Sequence, residues 1–594
     1  MYKLVNEMLN TSNNVLPESD SPTTLANDFS NYFVEKVGKI RNELDQCASS
    51  SSNQSSQFLP QSDIHVECKL SDFSIVTKDK LYNLIMKCPS KSCLLDPMPT
   101  WLVKQHLQTL LPILTTIVNT SLASGAFPAE LRKAIITPIL KKASLDKNQL
   151  KHYRPVSNLA FIGKLIEKVV ASQVSDHTTK HDLSDPYQSA YKCAHSTETA
   201  LVCVQNDILR AIDNRHAVFL LMLDLSAAFD TVDHGILLKQ LTNDFGLTDN
   251  VHSWFQSYLC SRTSKVCVKG VFSDERELMY GVPQGSVIGP QAFTYYTRRV
   301  GQIIVSHGLK YHKYADDVQI YTTFNPDRPG DAACALFKLS KCVSELQTWM
   351  LHNRLKLNQD KTEFFIASSD HHVQNLQHLS LHLPEQEVFP SKSIRNLGVI
   401  FDRCMKMTAH ITHLSRSINW QIRNLNRIRK YLDVDTCHNI VRALILSRLD
   451  YCNSLMNGID RKDLARLQVL QNKCARLILK QPKRSHASPL LQSLHWLPVA
   501  QRIQYKSIVQ TYKSFNLSLP GYISVFFQIH STAYALRSSS VTSFVVPRSN
   551  KKAGDRAFSI AAPRLWDALP ASIRSADNLT TFKRLLKSHL FPSP

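Results

Sequence analysis

Apolar residues along this chain follow two rhythms. Leu25 to Leu44 repeats them at helical spacing, and Thr77 to Met86 does so again after a polar stretch. A Pro-containing loop, SCLLDPMPTW, leads into a long apolar helix near Leu102 to Leu122. Ala134 to Leu140 has the look of a strand, and Phe161 to Ser175 returns to the helical period. In the middle, VFLLMLDL at 218–225 is a short apolar run of strand length that leads directly into a predicted helix with Ser226 near its cap. LKYHKYADDVQIYT at 309–322 predicts two strands joined at an Asp pair. The last third reads as mostly helical. In RKDLARLQVLQNKCARLILK, Leu464, Leu467, Leu470, Cys474, Leu477 and Ile478 fall on one face, and Arg461, Lys462, Arg466, Lys473, Arg476 and Lys480 cover much of the rest. Strands mixed with helices predict an α+β fold.

At 594 residues the chain is too long for one core, so roughly two to four domains are expected. The stretch QCASSSSNQSSQFLPQS at 46–62 is a polar low-complexity linker. No run of 18 apolar residues predicts a membrane span, and the opening MYKLVNEMLN lacks the basic-then-apolar order of a secretory signal. The 14 cysteines are scattered; Cys88 and Cys93 lie close, but no second pair completes a zinc site, which leaves free thiols.

Charge changes the picture. From residue 403 onward there are 30 Lys and Arg against 8 Asp and no Glu, which accounts for the whole net charge of +22. Residues 1–402 are neutral overall. Such polarity predicts a polyanion partner held mainly by the C-terminal part.

Three acidic positions carry the candidate chemistry. Asp224 ends one apolar strand, and Asp316 and Asp317 sit where another turns. A charge at the end of a buried strand is costly unless it is paired or binds a metal. Carboxylates brought together at strand ends suit two-metal phosphoryl transfer, with Mg²⁺ as the oxygen-preferring ion.

These residues lie in segments that resemble the reverse transcriptases of non-LTR (LINE-type) retrotransposons. MLDLSAAFDTVDH at 222–234 is similar to motif A of that family, GVPQGSVIGP at 281–290 to motif B, and YADDVQIY at 314–321 to motif C. SCLLDPMPTWLV at 92–103 resembles the N-terminal extension. HYRPVSNLAFIGKLIEKV (152–169) and QSAYKCAHSTETAL (188–201) resemble the two fingers motifs. WMLHNRLKLNQDKTEF at 349–364 resembles motif D and NLGV at 396–399 motif E. SRLDYCNSL (447–455), LHWLPVAQRI (494–503) and GDRAFSIAAPRLWDALP (554–570) resemble the thumb and tail of the clade that includes the chicken repeat elements.

The resemblance implies a right-hand polymerase of fingers, palm and thumb that builds DNA on an RNA template. Its divisions would be a connector with the linker at 1–76, an N-terminal extension at 77–120, fingers and palm at 121–402, and a basic helical thumb and tail at 403–594. Asp224, Asp316 and Asp317 would be the catalytic carboxylates, holding two Mg²⁺ ions (or Mn²⁺) with the carbonyl of Leu225. Phe229 would exclude a ribose 2′-hydroxyl. Gln284 and Gly285 would lie beside the nucleotide, with Pro283 setting the turn; Arg154 and Lys192 would contact triphosphate or template phosphate. Lys361 would be the proton donor to pyrophosphate, with Lys356 as its competitor. Leu397, Gly398 and Val399 would hold the primer end.

The implied partners are an RNA template, a DNA primer or RNA–DNA hybrid, and deoxynucleotides, with no membrane. No endonuclease, RNase H or protease signature stands out, so a separate endonuclease would serve integration, and a nuclear site follows from the family's mode of integration. The sequence departs from the family at Gly289-Pro-Gln-Ala-Phe293, at Arg298 and Arg299, and at Ala194, which stands where Gly is common. These departures are expected to weaken packing beside the site. The alternative reading is therefore a catalytically impaired, nucleic-acid-binding relic of the same fold.

Overall fold

Strand β3, Ala217–Leu223, is apolar throughout because both of its faces are buried. Phe219, Leu221 and Leu223 enter one core; Val218 and Leu220 enter another on the opposite face. The chain is described here by a computed structural model covering residues 16–50, 66–530 and 543–591, apart from positions 20, 92, 385 and 519.

Fourteen strands build two larger sheets and two small hairpins among the described residues. The first sheet contains β1 (Ala134–Leu140), β2 (Tyr153–Asn158), β4 (Arg262–Val268), β5 (Val271–Phe272) and β6 (Arg276–Leu278), in the order β2-β1-β4-β5 with β6 also on β4. The second contains β3, β7 (Lys310–Tyr314), β8 (Asp317–Phe324), β9 (Glu363–Ala367) and β12 (Pro390–Ser391), in the order β12-β9-β3-β8-β7. The hairpins are β10–β11 (Leu381–Leu383, Gln386–Val388) and β13–β14 (Ser393–Asn396, Val399–Asp402). The α+β prediction holds, as do the strand at 134–140 and the two strands flanking the Asp pair.

The larger core sits on one face of the second sheet. It also takes in Leu81 and Ile85 from the Lys78–Lys87 helix and Leu111, Val118 and Leu122 from the Leu107–Ser124 helix. The segment 77–120 therefore shares its core with the sheet. The apolar run predicted as one helix over 102–122 is two, Thr100–Gln105 and Leu107–Ser124, parted at His106 (φ −105°, ψ 26°). Lys104 ties the first piece to the neighbouring helix end by donating to the carbonyls of Met86 (3.1 Å) and Cys88.

The helix predicted at Leu25 to Leu44 extends over Pro22–Ser50, so residues 46–50 of the predicted linker are helical; 51–62 lie outside the described residues. Its Leu25, Ala26 and Phe29 pack on Ile136, Tyr153 and Val266 of the first sheet, with Phe29 edge-on to Tyr153 at 4.9 Å. Arg41 then pairs with Asp233 (3.1 Å), and Glu43 and Asp45 pair with Lys356 and Arg354, so this helix straps the two sheets together.

The C-terminal third is helical as predicted, with helices Thr408–Ile428, Arg461–Ile478 and Val499–Asn516 closing the second core. Leu467, Leu470, Cys474 and Ile478 are buried as their spacing requires. The tail folds back onto the Thr197–Asp213 helix: the N–H groups of Asn550 and Lys551 both donate to Asp213 (2.8 Å each), and Arg210 donates to the Arg548 carbonyl (2.9 Å). Among the described residues no helix is long and apolar enough to cross a membrane.

Gly554 sits against Asp213 so closely that a Cβ there would lie 2.3 Å from its carboxyl carbon. Gly554→Ala should therefore destabilise by about 1–3 kcal/mol through overpacking. Urea denaturation would read the loss, and limited proteolysis should show the tail cleaved first.

Candidate active site

Strand register sets the site. β3 pairs with β8 antiparallel, with Leu223 opposite Val318, and one further step places Asp224 opposite Asp317. Beyond β3 the chain pairs on its other side with Leu357. The Asn358 N–H donates to the Asp224 carbonyl and the Ser226 N–H to the Lys356 carbonyl, both at 2.8 Å. Those bonds flank Leu225, so its own carbonyl is turned the other way, toward the β8 side.

The helix expected to start near Ser226 is absent. The backbone turns at Ala227 (φ 52°), with the N–H groups of Asp230 (2.8 Å) and Thr231 (3.1 Å) both donating to the Ala227 carbonyl. Phe229 is thereby laid on Phe293, ring centroids 4.7 Å apart, while its carbonyl accepts from Val282 (2.9 Å). These contacts to the 281–285 loop take the backbone groups that a helix would need. The next helix begins at His234, capped by Asp233.

The turn between β7 and β8 is clamped from below. Ala315 has φ 59°, and the buried Gln188 grips it twice: the Gln188 Oε1 accepts from the Ala315 N–H (3.0 Å) and its amide donates to the Ala315 carbonyl (3.3 Å). Lys313, fully buried, faces Asp185 at 2.7 Å and donates to the Thr297 carbonyl at 2.7 Å. Burial works against the Asp185 charge, but Lys313 and the Tyr311 hydroxyl (2.8 Å) outweigh it and hold the carboxyl below its usual range.

Electrostatics single out Asp316 and Asp317. Burial, then Asp316 and Asp224, push Asp317 up to about 6. Burial and Asp224 also raise Asp316, against Arg154 and Lys361. The Lys361 ammonium stands 2.8 Å from Asp224 Oδ2, which also accepts from Asn358 (3.2 Å). No three His, Cys, Asp or Glu side chains among the described residues are drawn close enough to form a ready metal cage. Like charges hold such groups apart, and Lys361 occupies a cation's place beside them. Three carboxylates, a free-facing carbonyl and a lysine standing in for a cation fit a hard divalent ion with oxygen ligands.

Around them lies a second set of charges. Lys141, just past β1, is lowered by burial and then by Lys36, Lys361 and Arg154. Cations that depress one another form a basin suited to a polyanion.

Other expected residues are placed as follows. Gln284 donates to Asp230 (2.7 Å), which fixes it beside the Phe229 turn. Gly285 (φ 142°) is required by the protein itself, since a Cβ would lie 2.2 Å from the Ser157 carbonyl oxygen. Leu397 and Gly398 (φ 43° and 87°) form the two-residue turn of the β13–β14 hairpin that Val399 continues, and Tyr451 donates to the Leu397 carbonyl (2.7 Å). Arg154 is exposed on β2 and faces Asp316.

Lys192 belongs elsewhere. Its ammonium donates to the Asp185 carbonyl (2.5 Å), and burial lowers it to about 8; it serves the anchorage of the β7–β8 hairpin. Lys356 is engaged by Glu43, which leaves Lys361 as the lysine in contact with Asp224.

The sequence departures are accommodated. Arg299 forks onto Asp244 (3.0 and 2.7 Å), and Arg298 donates to the Asp244 carbonyl (3.1 Å) and lies over the Phe245 ring, so both brace a neighbouring helix end. Ala194 sits at φ 60°, where Gly costs less. Sequence reasoning missed Lys141, Asn358, Gln188 and Asp230. Asn358 and Gln188 lay inside quoted motifs, and Lys141 was legible as a cation at a strand end.

Residues 139–401 match the family model for reverse transcriptase (RNA-dependent DNA polymerase). The chain is 24% identical over 421 residues to an RNA-directed DNA polymerase from the mobile element jockey of Drosophila melanogaster, covering 69% of this chain and 44% of that protein. A probable RNA-directed DNA polymerase from transposon X-element of the same fly is 26% identical, covering 61% of this chain and 39% of the relative. One from transposon BS is 25% identical, covering 66% and 43%. The chain thus spans less than half the length of these relatives. Among solved structures, a telomerase from Candida albicans in complex with a fragment of telomeric RNA aligns with TM-score 0.30 and 12% identity, over 72% of this chain and 69% of that one.

The raised Asp317 gives a signed expectation. Its charge is disfavoured in the fold relative to an ordinary carboxylate near 3.9, so the penalty is full above about pH 6 and fades as pH falls toward 4. Asp317→Asn should raise the thermal midpoint at pH 7.5 by about 2 °C. The gain should vanish near pH 4, and adding Mg²⁺ should stabilise the parent chain more than the variant.

Proposed function

Because residues 139–401 are a reverse transcriptase domain of the kind found in non-LTR mobile elements, we propose that this chain is an RNA-directed DNA polymerase, extending a primer 3′-hydroxyl from deoxynucleoside triphosphates on an RNA template. The observation that carries this reading is the convergence, at one sheet end, of Asp224, Asp316 and Asp317 with Lys141, Arg154 and Lys361. An acidic centre ringed by cations matches a reaction that needs metal ions and releases pyrophosphate.

Asp224, Asp316, Asp317 and the Leu225 carbonyl would hold two Mg²⁺ ions. When bound, the ions lower the pKa of the attacking hydroxyl and stabilise the in-line phosphoryl transfer. Every other role belongs to the chain. Lys141 and Arg154 orient the triphosphate. Lys361, whose ammonium lies 2.8 Å from Asp224 Oδ2, would give a proton to the leaving pyrophosphate. Phe229, backed by Phe293, meets the sugar and excludes a 2′-hydroxyl. Gln284, oriented by Asp230, lies beside the nucleotide. The Leu397–Val399 turn steadies the primer end.

The divisions into fingers and palm (121–402) and a basic thumb and tail (403–594) follow from the same reading. The C-terminal region 403–594, which carries the whole net charge, would track the hybrid through its phosphates, reading shape more than sequence.

Primer extension on an RNA template tests the reading. The parent chain should extend with Mg²⁺ and deoxynucleotides, and Asp224→Asn should lose about a thousandfold in rate while still binding hybrid. A parent chain that binds hybrid but never extends it would point to the impaired relic instead. Phe229→Ala should raise ribonucleotide over deoxynucleotide incorporation on the order of tenfold, measured by single-nucleotide competition.

A further inference from the structure

The hairpin that carries Asp316 and Asp317 is held by a residue from far outside the reverse transcriptase domain. His312 of β7 is fully buried, and burial pushes it down to about 3, so its ring is neutral. Its Nε2 lies 2.7 Å from Ser189 Oγ. Ser189 Oγ in turn lies 2.8 Å from the hydroxyl of Tyr522, which lies 2.8 Å from Thr199 Oγ1. Tyr522 belongs to the short Gly521–Ser524 helix and is buried, with its ring edge-on to His312 at 4.8 Å and stacked on Tyr187.

The direction of this chain of bonds can be worked out from its far end. Thr199 Oγ1 lies 2.9 Å from the Ser196 carbonyl, and with its proton given there it accepts from Tyr522. Tyr522 therefore donates to Thr199 and accepts from Ser189. In that arrangement Ser189 donates to Tyr522 and accepts from His312 in its Nε2–H tautomer. Ser189 and Tyr522 thus each donate once and accept once, and removing the Tyr522 hydroxyl leaves the buried Ser189 to find a new acceptor.

We propose that Tyr522 is a positioning residue for the catalytic hairpin: its hydroxyl, through Ser189 and His312, locks β7 and so sets where Asp316 and Asp317 stand. The C-terminal region thereby completes the active site, over and above any grip on nucleic acid. This rests on the polymerase reading.

The test compares the full-length parent, Tyr522→Phe and Ser189→Ala, with Tyr512→Phe as a control whose hydroxyl serves Ala576 far from the site. Both relay variants should speed amide hydrogen exchange in peptides covering 310–318 by about fivefold, with the β13–β14 hairpin unchanged. In primer extension kcat should fall about tenfold, while KM for deoxynucleotide and Kd for hybrid stay at parent values. The control should match the parent throughout. Unchanged exchange at 310–318 in Tyr522→Phe overturns the proposal, as does faster exchange in an active chain with unaltered kcat. A parent chain that never extends primer instead sinks the polymerase reading, and hairpin exchange then still decides whether Tyr522 holds β7.

Discussion

Everything at the site follows from the antiparallel pairing of β3 with β8. Both strands are buried, so a slip by one residue would turn apolar side chains against the wrong core on each face. That penalty fixes Leu223 against Val318, and with it Asp224 against Asp317. The acidic residues have no choice in the matter; the apolar alternation of Phe219, Leu221, Val218 and Leu220 puts them together. Repulsion among the carboxylates is thus built in by packing, and the fold tolerates it because the hydrophobic gain of two cores is larger.

The same logic governs what surrounds the acids. The Asp316–Asp317 turn is under-supported from above, where carboxylates repel, and over-supported from below, where Gln188 holds Ala315 and Lys313 is buried against Asp185. A buried ion pair is a poor source of net stability, but breaking one side of it is severe. Here it serves as a rigid floor under a strained roof. The strap of residues 22–50 performs a comparable task between sheets, with Arg41 on Asp233 and two acidic side chains on Lys356 and Arg354.

Much of this was legible in the sequence. The run VFLLMLDL announced a strand, and the Asp pair between two apolar runs announced the junction of two more. The apolar spacing of Leu464, Leu467, Leu470 and Cys474 marked the last third as helical, as it is. The helix at Ser226 was misread because local pattern favours it, whereas the backbone groups there are claimed by the distant 281–285 loop. The partner that Lys192 has in the fold, the Asp185 carbonyl, was not legible for a related reason: it is a backbone atom that no motif reveals. The close approach of Gly285 to the Ser157 carbonyl joins distant segments and left no local sign. Long-range relations such as Tyr522 with His312 leave no periodic trace at all.

The docking of the tail on the Thr197–Asp213 helix has a consequence for the order in which the molecule is made. Asp213 is wholly buried, and two of its hydrogen-bond donors, Asn550 and Lys551, lie 337 and 338 residues further along the chain. At about 5–20 residues per second, a ribosome reaches them roughly 17–70 s after that helix has emerged. Through that interval the helix carries a carboxylate without these two N–H donors and an apolar flank without its cover. The nascent protein therefore passes through a long half-built stage, and its need for chaperones should be greatest while its tail is still being translated.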